Sequence, residues 1–285
     1  MNRNEHEANR ISWNEATRVH NSHKADQARF LREGGSTLFP EEIELLGDIR
    51  GKRLVHLQCN AGQDTLSLAA RGALVTGVDI SDEAIDFARR LSQESGIPGT
   101  FERADVYDWL EQHAGGERFD IVFSSYGAVI WLSNLAAWAR GIAGVLRPGG
   151  FFTLVEFHPF IGMFDEEMRL AYPYGGGQPI AFENGIGDYV AWAGEALTPS
   201  GYLEGVKDFV NPNPGYEYAW GLSDVVTALL DAGLILEVFR EYPYANGFPA
   251  LPGTRLIEGG RYTAGEGQPT FPMMYGLRAR KRGYA

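Results

Sequence analysis

The sequence predicts an α/β fold: a doubly wound, mostly parallel seven-stranded sheet, with a helical N-terminal lid and an insertion after strand five. Three observations predict it. From residue 53 to 157, short apolar strands alternate with amphipathic helices, the pattern of a parallel sheet covered on both faces. Glycine or a Pro-Gly pair closes each helix, a normal stop signal. The rhythm breaks at His158 and resumes at Leu222.

Residues 1–52 read as helical. Ala25 to Leu31 carries apolar residues at 25, 28 and 31. Pro40-Glu41-Glu42 opens a short helix, because proline lacks an amide that the first turn leaves unpaired and acids favour its positive end. Arg53–Gln58 is the first strand, Gln63–Arg71 a helix closed by Gly72, and Ala73–Asp79 the second strand. In the helix Asp82–Ser95, Ala84, Ile85, Ala88 and Leu91 share a face, Ser81 is the N-cap and Gly96 the stop. Gly99–Arg103 and Phe119–Ser124 are strands three and four. Asn134–Leu146 is a helix ended by Arg147-Pro148-Gly149-Gly150, and Phe151–Phe157 is strand five.

Residues 158–220, rich in Gly, Pro and aromatics, read as the insertion, with short strands expected around Tyr189–Ala193 and Tyr202–Val210. Leu222–Ala232 is a helix, Leu234–Tyr242 a strand and Met273–Arg280 the last strand. Residues 243–272 read as a long Pro/Gly loop, functional or disordered. The expected organisation is a lid at 1–52, a main domain at 53–157 and 221–285, and the insertion at 158–220.

The net charge of −12, from 25 basic and 37 acidic residues, disfavours a nucleic-acid partner, which needs a concentrated positive surface. The basic run Arg278-Ala279-Arg280-Lys281-Arg282 is expected to be a solvated end of an edge strand. The single cysteine, Cys59, allows no internal disulfide. The polar start MNRNEHEANR lacks a signal-peptide core, and no apolar run approaches the roughly 20 residues that span a bilayer. A cytoplasmic protein without a membrane partner is expected, its oligomeric state open.

In an open parallel sheet the ligand lies beyond the carboxyl ends of the strands, where strand order reverses. Those ends supply Gln58 to Gly62, then Asp79, Ile80 and Ser81, then Ala104, Asp105 and Val106, then Ser124, Ser125 and Tyr126, then Glu156, Phe157 and His158. Asp79 closes an apolar strand about 20 residues after the first loop, a position suited to gripping ribose hydroxyls. Ser81 already serves as helix cap. Asp105 is placed to accept from an exocyclic adenine amine, or to cap a helix over Val106–Leu110.

The segments LVHLQCNAGQDTLSLAARGA, VTGVDISDEAIDFAR, ADVYDWL, FDIVFSSYG and VLRPGGFFTLVEFHP, in that order, resemble a class I S-adenosylmethionine-dependent methyltransferase of small-molecule type. The resemblance covers residues 53–157 and, more weakly, 221–242. It implies a Rossmann-like domain with S-adenosyl-L-methionine as cofactor and S-adenosyl-L-homocysteine as product. It also implies that the 58–62 loop contacts the methionine part, Asp79 the ribose and Asp105 the adenine, with Gln58, Asn60, Gly62, Ile80, Val106, Ser124 and Tyr126 completing the cofactor site. The lid and the 158–220 insertion fall where the family carries substrate-binding elements.

The first loop has one glycine, Gly62, with Gln58 and Asn60 where the family carries glycines. Dinucleotide loops need several glycines to bring backbone against a pyrophosphate. This cofactor has no phosphate, and Asn tolerates left-handed backbone. His56 replaces a usual acid and has no assigned role. Methyl transfer is an in-line displacement in which the protein mainly positions the acceptor and excludes water. His158 is the candidate general base, with Glu156 a weaker one. Trp13, His20 and His158 are candidate substrate contacts. His20 and His23 have i,i+3 spacing, but without a neighbouring acid motif no metal site is expected. A small-molecule acceptor is expected. The alternatives are a non-catalytic S-adenosylmethionine-binding protein and a nicotinamide-dependent oxidoreductase.

Overall fold

The computed structural model describes residues 2–115, 119–165 and 167–283. Three helices lead: α1 (Arg3–Ser22), α2 (Gln27–Arg32) and α3 (Pro40–Leu46). The buried face of α1 is largely polar, with His6, Asn9, Ser12, Thr17 and His20 beside Ala16 and Val19. Such a face leaves little apolar periodicity in the sequence. Asp26 caps α2 by accepting from the Arg29 amide, and Glu42 accepts from the Phe39 amide at the start of α3.

The sheet follows: β1 (Arg53–Leu57), α4 (Gln63–Ala70), β2 (Leu74–Asp79), α5 (Asp82–Ser95), β3 (Thr100–Arg103), α6 (Val106–His113), β4 (Phe119–Ser125), α7 (Leu135–Val145) and β5 (Leu146–Phe157). Residues 158–220 hold β6 (Gln178–Phe182), α8 (Tyr189–Ala193) and β7 (Gly215–Ala219). The chain ends with α9 (Leu222–Asp231), β8 (Leu234–Tyr242), β9 (Tyr244–Asn246), β10 (Arg255–Ile257), β11 (Arg261–Thr263) and β12 (Met274–Lys281).

The seven-stranded sheet runs β3-β2-β1-β4-β5-β12-β8. Its first five strands are parallel, and β12 is antiparallel to both neighbours. Strand order reverses between β1 and β4, which opens a crevice beyond their carboxyl ends. Alternate residues of β1 feed opposite faces. Val55 and Leu57 join Trp109, Trp138 and Phe152, while Leu54 joins Leu68, Ile121 and Phe123. Truncating a fully buried leucine here would cost about 2–5 kcal/mol. Among the described residues no helix is long and apolar enough to cross a membrane.

Four sequence expectations change. Tyr189–Ala193 is helical, because Asp188 caps it by accepting from the Ala191 amide. Tyr202–Val210 forms no strand; Tyr202 makes only an isolated bridge with Lys24. Residues 243–272 contain a three-stranded antiparallel sheet, β10-β11-β9, rather than an unstructured loop. The run at 278–282 does not end an edge strand. β12 is interior, and Arg278 and Arg280 both pair with Glu237 on β8.

Candidate functional site

The loop from β1 to α4 keeps glycine geometry without the glycines. Gln58 (φ 55°), Asn60 (φ 48°) and Gly62 (φ 80°) all have left-handed backbone. Asn60 fits because its Oδ1 accepts from the Ala61 amide at 2.6 Å. Gln58 donates to the Ala128 carbonyl at 2.6 Å, and its buried Oε1 has no partner among the described residues. Gly62 answers to packing, since a Cβ there would stand 2.6 Å from the Ala88 Cβ and 2.8 Å from Phe101. It does not line the cavity.

At the end of β2, Asp79 accepts from the Asn60 amide (2.8 Å) and the Ser81 amide (2.9 Å). Burial pushes its pKa up to about 6, against the pull of those amides. Ser81 caps α5 through the Ala84 amide, which leaves Asp79 facing the cavity. Asp105 both caps α6, accepting from Tyr107 N at 2.9 Å, and lines the cavity. His6 Nδ1 lies 2.6 Å from its other oxygen.

At the end of β4, Ser124 is buried within the sheet and Ser125 reaches the cavity instead. Tyr126, at φ 36°, begins a turn held by Glu156, whose carboxylate accepts from the amides of Gly127, Ala128, Val129 and Phe157. Glu156 is committed to shaping this turn.

These elements enclose a cavity of about 710 Å³, within the ~300–1,000 Å³ range of small-molecule sites. Gln58, Asn60, Asp79, Ile80, Asp105, Val106 and Tyr126 line it, as do Trp13 and His20. Trp13 meets Trp131 and Tyr189 edge to face, at centroid separations of 5.5 and 6.4 Å. His20 packs on Tyr189 and binds the Gly187 carbonyl through Nε2 at 2.9 Å; burial lowers its pKa to about 4. His23 instead pairs with Asp188, so the two histidines do not converge. No group of three or more His, Cys, Asp or Glu among the described residues is arranged to hold a metal ion.

His158 does not line the cavity. Its Nε2 lies 3.0 Å from Glu241 Oε1, its Nδ1 accepts from the Phe160 amide, and burial lowers its pKa. His56 does reach the cavity, with Nδ1 2.9 Å from Thr65 Oγ1 and a pKa lowered to about 3 by burial. The roof over this cavity is not legible in the sequence. Glu41 of α3 accepts from Tyr244 (2.8 Å), Asn246 (2.9 Å) and Arg261 (2.5 Å), and Asn246 also donates to the Tyr126 hydroxyl at 2.8 Å. These partners lie on β9 and β11, whose strands are too short to show a period in the sequence.

Residues 55–150 match the model of a family described as a methyltransferase domain. An uncharacterised methyltransferase of Synechocystis sp. is 30% identical over 152 residues, covering 48% of this chain and 68% of that protein. The chain belongs to the class I S-adenosylmethionine-dependent methyltransferases. A ubiquinone biosynthesis O-methyltransferase of Aromatoleum aromaticum is 35% identical over 116 residues, 40% of this chain and 48% of that protein. The chain spans about half the length of the curated relatives it matches. An S-adenosylmethionine-dependent methyltransferase from Mesorhizobium loti shares the fold, with TM-score 0.53 and 20% identity over 87% of this chain and 99% of that one.

Proposed function

We propose that this member of the family binds S-adenosylmethionine in the cavity and transfers its methyl group to a small-molecule acceptor. The observation that carries the reading is Asp79, held by two backbone amides and turned into a cavity at the point of strand reversal. The residues present suit the cofactor. Asp79 would take the ribose hydroxyls, and Asp105 the adenine amine between Ile80 and Val106. Gln58 Oε1, buried and unpaired, would accept from the ammonium of the amino-acid tail.

Bound there, S-adenosylmethionine supplies a methyl carbon open to in-line displacement. The chain's own part is positioning and exclusion of water. The lid over 1–52 and the 158–220 insertion bring Trp13 and Tyr189 against Trp131 beyond β4, and the β9–β11 roof adds Asn246 and Phe248. An enclosed aromatic wall suits a planar or apolar acceptor. Calorimetry with S-adenosylhomocysteine, followed by transfer of labelled methyl groups to a panel of phenols and amines, tests the proposal. Absence of binding would sink it, and binding without transfer to any acceptor would favour a non-catalytic role.

A further inference from the structure

Among the described residues, Lys24 is the only lysine or arginine that lines the cavity. Its backbone is fixed just beyond α1. Lys24 bridges Tyr202, and Ala25 donates to the Gly201 carbonyl at 2.9 Å. Its ammonium has no hydrogen bond or ion pair among the described residues. Three cations of α1 behave differently: Arg3, Arg10 and Arg18 pair with Asp108, Asp82 and Glu83. Enclosure lowers the Lys24 pKa to about 8, against the attraction of Asp64. Asp64 is occupied by the Thr37 hydroxyl and closes no ion pair with the lysine.

A second feature lies alongside. Helix α4 has Gly62 as its N-cap and no side-chain cap, so its first-turn amides stay open among the described residues. Gln63 in that turn is tied to Asn21 and Gln27, which flank Lys24 in sequence. An unpaired cation and an uncapped helix start therefore share one end of the cavity. An enclosed charge is costly unless a partner arrives, so the partner is an anion. The lining also carries Asp64, Asp79, Asp105, Glu195 and Glu217. That surplus of acids disfavours a dianion such as phosphate and leaves a carboxylate as the matching group.

We propose that Lys24 is the carboxylate anchor of the cavity, holding a ligand carboxylate beside the first turn of α4. The proposal rests on the cofactor reading above. The carboxylate belongs either to the amino-acid tail of the cofactor or to an aromatic acid serving as acceptor.

Calorimetry on the wild type, Lys24→Met, Lys24→Gln and Lys24→Arg separates these sources. One arm compares S-adenosylhomocysteine with its decarboxylated analogue. The other compares 4-hydroxybenzoate and 4-hydroxycinnamate with their primary amides on protein saturated with S-adenosylhomocysteine. In the arm that carries the anchor, removing the carboxylate weakens wild-type binding roughly tenfold or more. The same change leaves the Met and Gln variants nearly unaffected, while Arg keeps most of the discrimination. Wild-type binding of S-adenosylhomocysteine with no such coupling in either arm overturns the anchor and leaves the cofactor reading standing. A wild type that binds none of the probes overturns both.

Discussion

His6 Nδ1 lies 2.6 Å from Asp105 Oδ2, joining the second turn of α1 to the residue that caps α6. The other ring nitrogen lies 2.7 Å from Ser133 Oγ, and the ring stacks on Tyr107. Arg10 and Asn14 add contacts to Asp82 further along the helix. Exposed pairs such as Arg3–Asp108 are worth about 0–1 kcal/mol, so the buried histidine is the main latch.

His6→Ala should therefore loosen α1 without unfolding the sheet. Hydrogen exchange should quicken across α1 and remain slow in β1 and β4. S-adenosylhomocysteine should bind about tenfold more weakly, mostly through faster release seen by stopped-flow fluorescence. Equal protection of α1 in variant and wild type would rule the latch out.

The pH dependence follows from Asp79. Its folded-state pKa is raised from 3.8 to about 6, so the folded chain keeps a proton that the unfolded chain has lost. The stability this contributes is present below pH 3.8 and is lost as pH rises through about 6. The stability of the wild type relative to Asp79→Asn should accordingly fall by on the order of 2–3 kcal/mol across that window. If Asp79 takes the ribose as proposed, cofactor affinity should run the opposite way, declining as pH drops below about 6 and protonates its carboxylate. Melting curves and calorimetry at matched pH values check both signs.

In the first loop, Asn60→Gly removes a left-handed non-glycine residue and also the bond that steadies it. The two effects oppose, and net stability should change by less than about 1 kcal/mol. Gly62→Ala should be far more damaging, by several kcal/mol, because its Cβ meets Ala88 and Phe101 in a packed core. Chemical denaturation distinguishes the two; comparable losses would contradict the packing account of Gly62.

The sheet was legible because its strands are apolar and its helices carry plain caps, as Ser81 and Gly96 do for α5. The strand-end wall of the cavity was legible because strand ends place their residues by topology, so Asp79 and Asp105 could be located without knowing what lies opposite them. The opposite wall was not. Lys24, Glu41 and Asn246 come from segments that meet only in three dimensions, and the glycine-rich stretch 243–272 hid strands of three residues each. Tyr189–Ala193 reads as a strand by propensity, yet the Asp188 cap and Gly194 stop already marked a helix turn.

The geometry at the end of β5 brings neither base candidate, His158 or the weaker Glu156, to the cavity wall. His158→Ala should keep turnover within about twofold, since the ring does not reach the cavity, and should cost about 1–2 kcal/mol through the orphaned Phe160 amide. Glu156→Ala should cost about 3–5 kcal/mol, because it strands a group of backbone amides and releases the turn at Tyr126. A large loss of kcat in His158→Ala with an unchanged melting temperature would restore it as a base.

Glu41 binds partners at positions 244, 246 and 261. During synthesis, which proceeds from the N-terminus, α3 emerges with a buried-to-be carboxylate that has nothing to hold. Its counter-charge, Arg261, leaves the ribosome only after every parallel strand of the sheet has been made. The parallel sheet can thus assemble on the nascent chain, whereas the roofed cavity closes only once β11 and its Arg261 have been made.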